Sequence, residues 1–106
     1  VEVFIDLGAE KLIAAEKAGT YIAVEVKSFV SPSVLSEFHT ALGQFLNYQY
    51  ILQQKDPARI LYLAVPLDVY HSFFRLSFTQ AIITRYQLNI IVYHPELQEV
   101  QQWINS

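Results

Sequence analysis

Ile22-Ala23-Val24-Glu25-Val26-Lys27 is an apolar run broken by two charges spaced two residues apart. Successive side chains of a β-strand point to opposite faces, so a strand here puts Glu25 and Lys27 together on one face. Upstream, Glu10 to Lys17 is a second strand-like run, and Ala18-Gly19-Thr20 between them is a hairpin signal. Val1 to Leu7 is a strand leading into this hairpin. Downstream, Ser31-Pro32 predicts an N-cap with proline at the first helical position, and the helical pattern runs from about Pro32 to Gln54 before Asp56-Pro57 stops it. Arg59 to Val65 and Asn89 to Tyr93 read as buried strands, with helical turns from Leu67 to Phe74 and from Phe78 to Tyr86 between them. Pro95 to Gln98 reads as a turn, and Glu99 to Ile104 as a last strand or short helix that returns Trp103 to the body. Antiparallel strands followed by crossover helices predict an α/β fold, a mixed central sheet flanked by helices, in one domain over residues 1–106.

Composition narrows the class. Of 106 residues, 53% are hydrophobic, ample for one core and too few residues for two. The apolar stretches Ile60 to Val65 and Leu88 to Tyr93 fall far short of the roughly 20 residues that cross a bilayer, so no membrane span is expected. The chain opens directly in a strand pattern with no signal-peptide h-region, as a sequence starting inside a domain would. Without cysteine there is no disulfide and no thiolate metal site, which fits a cytoplasmic protein. A net charge of −3 argues against sequence-independent DNA binding, which needs clustered Lys and Arg.

Glu25 and Lys27 are the residues that could carry chemistry. Mg²⁺ takes hard oxygen ligands from one or two carboxylates, and a lysine two residues away can orient an attacking water or steady charge on phosphate. The second carboxylate is expected from Asp6, with Glu10 or Glu2 as substitutes. A two-residue turn at Ala18-Gly19 pairs Glu25 with about Leu12 and Lys27 with about Glu10, so Asp6 needs a bulge near Gly8 to come alongside. The plainer reading of the same residues is a cross-strand ion pair such as Glu10 with Lys27, worth about 0–1 kcal/mol at a surface. On the following helix, Glu37, Ala41, Gln44 and Tyr48 share a narrow line, expected at the edge of a packing stripe through Val34, Phe38, Leu42, Phe45 and Leu52. His39, His71 and His94 have no metal-ligand spacing and read as surface or rim residues. The many tyrosines, Tyr48, Tyr50, Tyr62 and Tyr70 among them, are mostly core and also suit a protein interface.

Asp6, Glu25-Val26-Lys27 and Gln44-Phe45-Leu46-Asn47-Tyr48 resemble the PD-(D/E)XK nuclease pattern with the Gln-x-x-x-Tyr extension of RecB-type members. More narrowly, the sequence resembles XisH, the cyanobacterial family known as the fdxN element excision controlling factor. The strings that carry this include Asp6-Leu7-Gly8-Ala9-Glu10, Ile22 to Phe29, Ala41-Leu42-Gly43-Gln44, Leu63-Ala64-Val65-Pro66 and Gln102-Trp103-Ile104. The resemblance implies a restriction-endonuclease-like fold, here without the helix and strand that usually precede the Asp-bearing strand. It implies a role in programmed DNA excision during heterocyst development, beside a site-specific recombinase and an XisI-like companion protein, with DNA as a further partner and a homo-oligomer as a further state. If the chain is a nuclease, the resemblance implies Mg²⁺ held by Asp6 and Glu25, with Lys27 and Gln44 completing the catalytic set. The alternative is a non-catalytic adaptor that binds the companion protein and the recombinase.

Overall fold

The computed structural model describes residues 3–7 and 10–105, the side chains of residues 3, 4, 6, 7, 10 and 11 excepted. Its elements are β1 (Val3–Leu7), β2 (Glu10–Lys17), β3 (Thr20–Val26), α1 (Val34–Lys55), β4 (Ile60–Pro66), α2 (Leu67–Val69), α3 (Ser77–Arg85), β5 (Ile90–His94) and β6 (Glu99–Ile104). Helix α2 continues as a π-helical turn over Tyr70–Phe74. The six strands form one sheet in the order β1-β2-β3-β4-β5-β6. Pairs β1·β2, β2·β3 and β5·β6 are antiparallel, while β3·β4 and β4·β5 are parallel. The fold is therefore α/β with a mixed sheet.

The β2–β3 register runs from Lys17↔Thr20 to Ile13↔Val24, leaving a two-residue turn. Ala18 at φ +49° and Gly19 at φ +84° give the doubly positive φ whose twist suits such a hairpin. Helix α1 starts two residues later than Ser31-Pro32 predicts. Ser33 is extended (φ −108°, ψ 101°), and its Oγ accepts the Ser36 N–H at 3.1 Å, so Ser33 is the cap. Ser31 instead accepts the Ser33 N–H, at 3.4 Å.

The buried face of α1 also differs from the predicted stripe. Phe38, Ala41, Phe45, Tyr48 and Leu52 are the buried residues. Their steps of three and four are unbroken over four turns, whereas Val34 and Leu42 are only partly buried. Two members of the polar line, Ala41 and Tyr48, thus belong to the core and not to its edge.

Topology explains where the helices lie. β3-α1-β4 and β4-α2-α3-β5 are successive crossovers between parallel strands, both advancing in the same direction across the sheet. Right-handed crossovers that never reverse direction stack their helices on one face. The main core accordingly joins α1, α2, the π turn and α3 to Leu12, Ala23, Leu61, Leu63, Val65, Ile90 and Val92 of the strands. The other face holds a smaller cluster, Ile22, Tyr62, Ala64 and Ile91, and the partly buried hydrophobics packed against it among the described residues, Val24, Tyr93 and Trp103, are all strand residues. There β6 closes over one end: Trp103 meets Tyr62 edge-on at 5.3 Å, and Lys17 Nζ sits 4.0 Å from the indole centroid. β2 and β6 are four places apart in the sheet, so this contact rolls it into a trough.

No helix among the described residues is long and apolar enough to cross a membrane.

Candidate functional site

The helix-covered face carries the residues that the sequence singles out. Glu25 alternates with Ala23, which lies in the main core, and is itself buried at 6% exposure. It is a rare position for a carboxylate, because burying charge without compensation is costly. Lys27, one step past the end of β3, is half-buried. The backbone there is held on both sides. The Lys27 N–H donates to the Ala64 carbonyl at 3.0 Å, and the Lys27 carbonyl accepts the Tyr93 hydroxyl at 3.2 Å. Immediately beyond, Phe29 takes φ +54°, a conformation uncommon for a bulky side chain. Its ring is buried at 6% and meets Phe74 edge-on at 5.6 Å, so packing fixes the turn that ends β3.

Helix α1 adds oxygen acceptors on the same side of the sheet. Gln44 Oε1 and Glu37 Oε2 are buried, and among the described residues neither has a hydrogen-bond partner. They are seven residues apart, hence two turns apart on nearly the same line of the helix. Unsatisfied buried acceptors are uncommon in native proteins and call for an explanation. Glu37 is thus a site candidate that the polar line contained and the catalytic set left out.

Asp6 lies in β1, opposite Lys11, with Leu7 opposite Glu10. Strand β2 separates β1 from β3, so two strand spacings, about 10 Å, lie between the backbones bearing Asp6 and Glu25. The Asp6 and Glu10 side chains and the whole of Glu2 are outside the described residues, as is the expected bulge at Gly8. Among the described residues, no three His, Cys, Asp or Glu side chains form a group that could hold a metal ion. Glu25, Glu37 and Gln44 each offer hard oxygen, the ligand type that Mg²⁺ prefers. His39 and His71 are exposed, and His94 Nδ1 accepts the Leu97 N–H at 3.3 Å, as rim residues do.

Tyr93 is a participant with no sequence signal. Burial, and secondarily the negative charge of Asp68, push its phenol above the ordinary value of 10.0. The hydroxyl therefore stays a donor to the Lys27 carbonyl throughout the neutral range.

The XisH family model, described as XisH protein, matches residues 1–101. An XisH family protein from Nostoc punctiforme PCC 73102, known from its crystal structure, is 49% identical with a TM-score of 0.86, over 97% of this chain and 83% of that one. A fdxN element excision controlling factor protein from Anabaena variabilis, also known from its crystal structure, is 51% identical with a TM-score of 0.86, over 97% of this chain and 82% of that one. No curated protein matches.

Proposed function

The chain belongs to the XisH family, and on that premise we propose that it is an fdxN element excision controlling factor acting in programmed DNA excision, through a PD-(D/E)XK-type phosphodiester-cleaving site. The observation that carries this reading is the burial of Glu25 on the helix-covered face, one alternation from Lys27 at a strand end held by Ala64 and Tyr93. Asp6 and Glu25 would hold Mg²⁺, with Gln44 assisting. When bound, the ion supplies a Lewis acid for the phosphodiester. Lys27 orients the attacking water or steadies the negative charge that develops on phosphate. The resemblance also supports an XisI-like companion protein and a site-specific recombinase as partners in the cytoplasm.

Calorimetric titration of the chain with Mg²⁺ and with Mn²⁺, beside Glu25→Gln, tests this site. Glu25→Gln keeps the shape and removes the charge. Saturable binding that disappears in the variant is expected, with Lys27→Ala abolishing any cleavage while leaving ion binding in place. Absence of binding to the unaltered chain would overturn the nuclease reading. It would favour the non-catalytic adaptor, which the net charge of −3 already suits better than direct contact with DNA.

A further inference from the structure

The outer side of α1 is not that of an ordinary surface helix. From Val34 to Gln54 the one charged residue is Glu37, and Glu37 Oε2 is buried. Leu35 is 44% exposed and Leu46 36%, with exposed His39 and half-buried Leu42 between them. Positions 35, 39, 42 and 46 are four, three and four residues apart, the spacing with which one helix presents a seam to another. This line lies half a turn around the helix from Glu37 and Gln44, so it is independent of the Glu25 site. The apolar surface also continues beyond α1. His39, Phe38, Phe73 and Phe78 follow one another at ring-centroid distances of 6.4, 5.3 and 5.8 Å, and Phe78, at the start of α3, is 47% exposed. Depletion of charge combined with aromatic and aliphatic groups is the composition of an interface core.

Two copies that meet about a two-fold axis need a patch that complements itself. The seam has this property, because its spacing reads the same in both directions. With two α1 helices antiparallel and the axis level with the Thr40–Ala41 peptide, Leu35 of each copy meets Leu46 of the other, and His39 meets Leu42. In that register Tyr50, 65% exposed, comes level with the chain entering the other α1, where Val30 is 83% exposed. These two are the most exposed large hydrophobics among the described residues. Charge favours the same direction. The antiparallel arrangement sets the positive N-terminal end of each helix dipole beside the negative C-terminal end of the other. None of the acidic residues behind the net charge of −3 lies on the seam to repel its own copy. We infer that the chain self-associates through α1, as an antiparallel two-fold dimer joined along Leu35, His39, Leu42 and Leu46.

Sedimentation velocity of the 106-residue chain, from about 1 μM to about 1 mM, is expected to show a monomer–dimer equilibrium. Leu46→Glu is expected to raise the dissociation constant by about tenfold or more, since the two-fold buries the new charge twice. Leu35→Glu repeats the test should the first variant fold poorly by circular dichroism, and Val100→Glu on β6 is expected to leave the equilibrium unchanged. The chain has no cysteine, so introduced thiols read the register. An oxidised mixture of Leu35→Cys and Leu46→Cys chains is expected to yield more covalent dimer than either variant alone. A chain that stays monomeric at the highest concentration would overturn the inference and leave this face to a different protein. So would a dimer indifferent to both glutamates on α1, a dimer that Val100→Glu dissociates, or disulfides that form best within a single cysteine variant.

Discussion

The two faces of the sheet solve different problems with similar residues. The helix-covered face buries Phe38, Phe45 and Phe74 at 2% exposure or less and still holds Glu25 among them. The other face is apolar too, yet it leaves Val26 and Val100 half-exposed, and among the described residues its cluster is packed by Val24, Tyr93 and Trp103 of the strands alone. A closed face can fix a costly carboxylate in place, because surrounding packing holds its geometry. An open face leaves part of its apolar area in water. Stability and proposed chemistry lie on one side, and uncovered apolar surface on the other.

The largest effect should come from the closed face. Phe45→Ala removes a ring with no exposed surface, and should destabilise the chain by about 3–5 kcal/mol in urea unfolding. Trp103→Ala takes away the edge-on contact with Tyr62 and the Lys17 contact, for a loss of roughly 1–2 kcal/mol. A Trp103→Ala loss as large as that of Phe45→Ala would break the distinction and make the open face a second core. The smallest effect is expected at Tyr93, where the two faces meet at the end of β3. Its folded phenol ionises at higher pH than the unfolded one, so the unfolded state loses its proton first as pH rises past about 10. Its contribution is fully present below pH 10 and is lost as pH rises through the folded value. Urea midpoints measured from pH 8 to 11 should fall more steeply for the unaltered chain than for Tyr93→Phe. Parallel curves would show that the half-buried hydroxyl does nothing for the strand end.

Much of this architecture was legible because local signals are strong where backbone geometry is restrictive. Gly19 marks the hairpin, Asp56-Pro57 ends α1, and alternation places Glu25 and Lys27 on one face. The cap was displaced because Ser31 and Ser33 offer the same hydroxyl, and only the extended conformation of Ser33 decides between them. The positive φ of Phe29 has no sequence signal, and its ring packs against Phe74, far away in the chain. The line Glu37, Gln44 and Tyr48 was visible as a period, but its depth depends on how far α1 rolls toward the sheet, a tertiary quantity. The bare face was hidden for a related reason: β4 is apolar on both sides, so its sequence alone implies cover on both.

The unbroken strand order has a kinetic consequence. Each strand pairs only with its neighbours in sequence, so no strand waits to be inserted between two others already in place. The hairpins at either end close short loops, and the two crossovers between them are the slow, longer-range steps. A chain built this way can grow its sheet from the first hairpin onward, in the order in which a ribosome releases it.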